Sequence, residues 1–444
     1  MAGGSGKCRV AAYMRSLALI VSLIIIPIVG NTQTALVDTL AASHKLGIPV
    51  AQARQIEARL GQLLVINVDG FGYSGSLALA PAFADLVRQI QVGGVIPHYG
   101  STDYARIVRT DRALDGLTTL PLLLCSDIVK LAGPGGTASF GDGYVGGFLG
   151  KYRGLTDRDL DTLARLNAFV FRALGVNVAL GPTIDTSTRE PRVVERARIV
   201  IDDMKRYGLV PVLKHFPTLP AQANLHRESP DEHLSPDEIT ARLAAFQALS
   251  PEAGIMMTTH FRDSLVDPDI VTFSPAWNTI LRERTGYQGL LMSDGLLMLK
   301  NYKDRSALAG GPSRQETAGM DETALWAARA ILAGHDMVIV EGSAAQTIRV
   351  FNGLLTLACS GSPLGNTLAA RIQESWERIS AWKDAHAETL GRTVDVTASV
   401  IAAVIRLLPG AAVDTAQVGA AHFHFDAAAL ARLEPILTSA ETRE

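Results

Sequence analysis

Seven short apolar runs in this chain each end on a side chain that can carry or exchange a proton: Asp69, His98, Asp127, Asp185, the pair Lys214 and His215, His260, and Asp294. Carboxylates, imidazoles and amines are the groups from which general acid–base catalysis and charge-assisted hydrogen bonding are built. A polar group directly after an apolar strand is costly to bury unless it is paired. Read alone, any one of the seven is an ordinary strand-ending residue. Their recurrence at the same point of successive units indicates a shared, solvated pocket. Cys8, Cys125 and Cys359 form neither a disulfide framework nor a Cys/His cluster with zinc-ligand spacing.

The elements that position these residues follow a repeated pattern of short β-branched run, polar or glycine-marked end, and longer amphipathic stretch. The runs predict strands at Leu63–Val68, Gly94–Pro97, Leu122–Cys125, Val176–Leu180, Leu209–Leu213, Ile255–Met257, Leu290–Met292 and Met337–Val340. Helices are expected at Asp157–Leu174, Pro191–Tyr207, Pro236–Leu249 and Ala324–Ala333. Near-continuous apolar strands alternating with helices imply a parallel sheet covered on both faces. Eight such units point to an α/β fold of the (β/α)8 barrel type, with an open doubly wound sheet as the alternative. Reactive side chains of a barrel project from the C-terminal ends of its strands, where the seven polar positions fall. Residues 346–444 read as a C-terminal helical extension on a different rhythm, with helices at Asn366–Leu390 and Val394–Leu407 that cap the barrel or pack on its outside. The glycine-rich stretch Ala132–Gly154 reads as a loop over the barrel mouth; without a Gly-Lys-Ser/Thr ending it is no phosphate loop.

Apolar residues make up 48% of the 444 and charged residues 19%, enough for a large core and against wholesale disorder. The formal net charge of −3, with no long basic run, argues against nucleic acid as the partner. Residues 1–35 read as a targeting segment: Lys7, Arg9 and Arg15 precede an apolar run from Leu17 to Val29, about the length of a signal-peptide core and too short for a comfortable bilayer span. No clean small-x-small cleavage site follows. The segment is therefore a signal peptide or an uncleaved membrane anchor, and the protein is expected to be exported, periplasmic or extracellular. Residues 36–345 are left for the barrel.

Three segments resemble motifs of the family 3 glycoside hydrolases. Gly289-Leu-Leu-Met-Ser-Asp294-Gly-Leu-Leu-Met298 looks like the family's nucleophile strand, Val212-Leu-Lys214-His215-Phe-Pro217 is similar to its sugar-holding Lys-His-Phe-Pro motif, and Ala333-Gly-His-Asp-Met-Val338 is similar to its Ala-Gly-x-Asp-Met strand entry. Met257-Thr-Thr-His260, Gly93-Gly-Val-Ile96 and Pro121-Leu-Leu-Leu-Cys-Ser-Asp127 add support, in order, over roughly residues 55–345. Within the family the likeness is to the single-barrel β-N-acetylglucosaminidases. The resemblance implies a retaining glycosidase acting on carbohydrate, possible without metal or organic cofactor because side chains fill both catalytic roles. Asp294 would attack the anomeric carbon, and Lys214, His215 and Asp127 would hold sugar hydroxyls. His226 would be the acid/base, oriented by Asn224 where the branch has an Asp-Ser-His dyad.

The chain departs from the family pattern at defined places. Phe-Pro-Gly-His-Gly is replaced by Phe216-Pro-Thr-Leu-Pro220, so a flexible loop becomes stiffened by proline. Asn224 can orient His226 but cannot stabilise its imidazolium by charge, a loss that costs several kcal/mol in an analogous triad. Gly295 stands where a second acid or alanine is usual, and Gly135 stands where a sugar-binding Arg is expected. These changes motivate an alternative function, a catalytically impaired barrel that binds carbohydrate or serves as a scaffold. Turnover separates the two.

Overall fold

The computed structural model describes residues 36–67, 80–96, 104–133, 136–141, 156–185, 192–218, 231–302, 308 and 315–391. The apolar run Leu17–Val29, the strand-end residues Asp69 and His98, the pair Asn224 and His226, and the expected helix Val394–Leu407 lie outside the described residues.

In chain order the strands are β1 (Leu64–Asn67), β2 (Gly94–Ile96), β3 (Leu123–Ser126), β4 (Ile128–Gly133), β5 (Gly136–Gly141), β6 (Val178–Ala179), β7 (Val210–Phe216), β8 (Asp231–Glu232), β9 (Ile255–Thr258), β10 (Arg262–Asp263), β11 (Leu290–Gly295) and β12 (Met337–Val340). Eight of them close a parallel barrel in the order β1-β12-β11-β9-β7-β6-β3-β2. These eight coincide with the eight apolar runs, so the closed barrel holds and the open sheet does not. β12 pairing with β1, Leu64 opposite Val338, closes the ring.

Helix limits follow local chemistry. Asp157–Leu174 starts at a reciprocal cap in which Thr156 Oγ1 accepts from the Asp159 N–H and the Asp159 carboxylate accepts from the Thr156 N–H. It stops at Gly175, whose φ of 102° suits a residue without Cβ. Pro236–Leu249 begins the same way, with Ser235 and Glu238 as the reciprocal pair and Pro236 in the first turn.

The stretch read as a loop from Ala132 differs. Residues of β4 and β5 form an antiparallel ladder from Ile128↔Gly141 to Gly133↔Gly136. Glycine and small polar residues in this stretch hid a strand pair that the backbone ladder defines.

The N-terminal end of the barrel is closed by the long helix Pro363–Ala385. Its Lys383 is fully buried and donates to Gln62 Oε1 at 2.9 Å and to the Gly93 carbonyl at 2.8 Å, both just ahead of barrel strands. Asp336, immediately before β12, lies among Arg282 at 3.3 Å, Arg378 at 3.6 Å and Arg371 at 4.0 Å, and accepts from the Leu291 N–H at 2.9 Å. Its role is structural, and it sits at the opposite end from the polar strand ends. Among the described residues no helix is long and apolar enough to cross a membrane.

Candidate active site

Two barrel strands lose regular register where their polar residues emerge. β7 shifts against β9 between Leu213 and Phe216, and β11 shifts against β12 between Met292 and Gly295. Such irregularities turn a side chain away from the strict in–out alternation of a strand. Phe216 anchors the first of them in the outer layer, edge-on to Phe246 at 5.3 Å and to Trp277 at 6.2 Å. Ser293 stitches the second: its hydroxyl donates to the Asp294 carbonyl at 2.8 Å and accepts from the Ile339 N–H at 3.1 Å.

These anchors bring Lys214, His215 and Asp294 to one place. His215 Nε2 lies 3.6 Å from Asp294 Oδ2. Behind the imidazole, Asp185 accepts twice, from His215 Nδ1–H at 2.6 Å and from the His215 backbone N–H at 2.8 Å. Burial would lower the His215 pKa, but Asp185 and then Asp294 outweigh burial and the neighbouring Lys214, so it is raised. Lys214, almost fully buried, places Nζ 3.7 Å from Asp127 Oδ2. Four strand ends therefore contribute to a single cluster.

Asp294 keeps 17% of its side chain exposed, enough for a ligand to reach it. Burial pushes its pKa up, yet His215, His260, the Gly295 N–H donating to Oδ1 at 2.7 Å, and Lys214 together hold it below the ordinary aspartate value. The carboxylate is ionised at neutral pH. His260 is buried alongside, with Nε2–H donating to the Gly295 carbonyl at 3.0 Å and Nδ1 2.6 Å from Thr272 Oγ1. Tyr302 closes that side, its hydroxyl donating to the His260 carbonyl at 3.2 Å.

One residue of the cluster escaped the reading of strand ends. Glu341 directly follows β12, the eighth apolar run, and was findable by the same rule applied once more. Its Oε2 accepts from the Leu297 N–H at 3.0 Å. Burial first, then the charges of Asp294 and Asp127, raise its pKa to about 7 against the opposing Leu297 N–H. Asn224 and His226 lie outside the described residues. Among the described residues no group of three or more His, Cys, Asp or Glu side chains is arranged to hold a metal ion.

A barrel with a carboxylate backed by a Lys-His pair at its C-terminal mouth defines a class, and the comparisons with known proteins give that class its family. The chain belongs to glycosyl hydrolase family 3: residues 55–381 match the family's N-terminal domain. It is 30% identical to a β-hexosaminidase of Methylococcus capsulatus over 264 residues, covering 55% of this chain and 67% of that one. A β-hexosaminidase of Tolumonas auensis is 26% identical over 329 residues, covering 68% and 90%. Among solved structures, a family 3 β-N-acetylglucosaminidase from Paenibacillus sp. superposes with a TM-score of 0.59 at 21% identity, covering 77% of this chain and 64% of that one. A β-N-acetylhexosaminidase from Beutenbergia cavernae gives 0.54 at 22% identity, covering 74% and 98%. At these identities the structural likeness speaks for the fold.

Proposed function

We propose that this protein is a retaining β-N-acetylhexosaminidase that removes terminal N-acetylglucosamine-type sugars, with Asp294 as its nucleophile. The observation that carries the reading is the placement of Asp294: a partly exposed carboxylate, 3.6 Å from His215 Nε2 in the mouth of the barrel, where His215, His260 and Lys214 favour its charged form. Retaining hydrolysis runs through attack of such a carboxylate on the anomeric carbon, an oxocarbenium-like transition state, and a glycosyl ester that water then cleaves. Lys214, His215 and Asp127 are suited to hold sugar hydroxyls, since each offers a charged donor or acceptor at the same mouth. The names of the relatives support the amino-sugar specificity.

The alternative, a sugar-binding scaffold, draws on Asn224 and the proline-stiffened loop after Phe216. It is less well supported, because binding alone does not call for a carboxylate held ionised against its burial. We further infer export, from the basic-then-apolar segment of residues 7–29, and cell-wall fragments as a source of substrate outside the cytoplasm.

The test is hydrolysis of 4-nitrophenyl N-acetyl-β-D-glucosaminide. Wild-type protein is expected to release 4-nitrophenol and Asp294→Ala to lose turnover by at least three orders of magnitude. A 5-fluoro analogue is expected to label Asp294. A label on another carboxylate, or turnover undiminished in Asp294→Ala, overturns the assignment.

A further inference from the structure

We propose that Glu341, at the C-terminal end of the eighth barrel strand, is the general acid/base of this site. The proposal rests on the hydrolase reading above and supplies the proton-transfer group that the altered Asn224–His226 stretch leaves weakened.

The geometry starts at Gly295, the position at which this chain lacks the family's acid or alanine. A Cβ built on Gly295 would lie 2.6 Å from Glu341 Oε2, with Oε1 nearer still. The Glu341 carboxyl thus fills the volume that a side chain at 295 would take. Asp294 Oδ1, in turn, is 2.7 Å from the Gly295 nitrogen. Ordinary covalent geometry across one residue then keeps the two carboxyl groups within about 8 Å of each other, an upper limit that admits the separation of about 5–5.5 Å at which the paired carboxyls of retaining glycosidases stand. The two project from adjacent strands, β11 and β12, at the same end of the barrel.

Their environments divide the labour. Asp294 faces His215, His260 and Lys214, and is ionised. Glu341 is held by burial first, and then by the charges of Asp294 and Asp127, against one backbone donor, Leu297 N–H, so that it keeps its proton up to about neutral pH. A pair of carboxyls pushed apart in this way is the arrangement by which one acts as acid and the other as nucleophile. Among the described residues the Glu341 carboxyl takes its hydrogen bond at Oε2, from the Leu297 N–H, and the transferred proton is assigned to Oε1.

The chemistry balances over two steps. As the Asp294 carboxylate bonds to the anomeric carbon, the bond from that carbon to the leaving oxygen breaks, and the Glu341 proton passes to that oxygen. The Glu341 carboxylate then takes a proton from water, the hydroxide oxygen bonds to the anomeric carbon, and the ester to Asp294 breaks. Both side chains return to their starting states.

Glu341→Gln keeps the shape and can still accept from Leu297, but has no proton to give. Its kcat/KM is expected to fall at least 100-fold on chitobiose, where the leaving group needs protonation. On the 2,4-dinitrophenyl glycoside, which needs none, the first step should stay within tenfold of wild type. Added azide should restore turnover and yield the β-glycosyl azide. If Glu341→Gln does not fold, Glu341→Ala with azide gives the same readout. Equal losses on both substrates, no loss on either, or azide rescue in His226→Ala instead, overturn the assignment. A wild-type protein inert on every aryl N-acetylhexosaminide sinks the hydrolase reading and this proposal together; an active wild type with any of those three patterns sinks this proposal alone.

Discussion

Asp185→Asn is a severe perturbation for a change of one atom, and the structure says why. Both carboxylate oxygens of Asp185 accept, one from His215 Nδ1–H at 2.6 Å and one from the His215 backbone N–H at 2.8 Å. An amide offers one acceptor and one NH2 donor, so one of the two bonds must fail whichever way it is turned. If the amide oxygen keeps the backbone N–H, the NH2 faces Nδ1 and forces the imidazole into its neutral form, protonated on Nε2. The lost bond is charge-assisted and buried, worth about 1.5–3 kcal/mol. The upward shift of the His215 pKa beside Asp294 goes with it. Converted at about 1.4 kcal/mol per factor of ten, that is a fall in kcat/KM of roughly 10- to 150-fold. The pH profile gives a second, independent readout. In the wild type His215 has its pKa raised, so the stabilisation from its cationic form is complete below the unfolded value and is lost as pH rises through the folded one. Asp185→Asn removes the main raising influence, so this loss should move to lower pH. Hydrolysis of the 4-nitrophenyl substrate from pH 5 to 9, with thermal melting in parallel, measures both. Activity within twofold of wild type and an unmoved alkaline limb would refute the argument that Asp185 charges the imidazole.

Two further substitutions test other parts of the structure. Gly295→Ala should be accepted by the backbone, whose φ of −59° suits any residue, while its Cβ displaces the Glu341 carboxyl; a fall of at least tenfold in kcat/KM with a small change in melting temperature is expected, and full activity would show that the carboxyl is free to move without consequence. Lys383, whose pKa burial lowers to about 7, takes up fewer protons folded than unfolded between pH 7 and about 10, so stability should gain up to about 1.4 kcal/mol per pH unit there from this group; Lys383→Met should remove that slope in denaturant titrations at pH 7, 8 and 9, and an unchanged slope would place the linkage elsewhere.

How much of this was legible in the sequence depends on which interaction set each feature. The eight barrel strands were, because a strand buried on both faces has to be an apolar run, and the helices Asp157–Leu174 and Pro236–Leu249 were legible to the residue because Thr156, Ser235 and Gly175 punctuate them locally. The meeting of Lys214, His215 and Asp294 was legible through position, since strand ends of one barrel converge. The backing of His215 by Asp185 was not, because it depends on a register shift in β7 that no periodicity records. Glu341 was legible by the strand-end rule, as the residue after Val340, but its contact with Gly295 was not, because a glycine gives no sign in sequence that the space above it is filled from the next strand. The β4–β5 pair was obscured by glycine content, which lowers strand propensity without preventing a backbone ladder.

The balance of charge at the barrel mouth carries the functional reading further than any single residue. Asp127, Asp185 and Asp294 set three carboxylates, and Glu341 a carboxyl that holds its proton to about neutral pH, against the Lys214 ammonium and the His215 imidazole, whose pKa its carboxylate neighbours raise. A site built to hold phosphate or another anion would reverse that ratio, as fixed positive charge is what such ligands require. A neutral sugar tolerates it, and a sugar developing positive charge at its anomeric carbon gains from it, because preorganised negative charge in a partly buried pocket stabilises an oxocarbenium-like state more than the ground state. Lys214 and His215 then have a narrower part to play. They keep Asp294 ionised before the reaction starts, and their own charge is already offset by Asp185 and Asp127, so little of it opposes the charge that forms on the substrate.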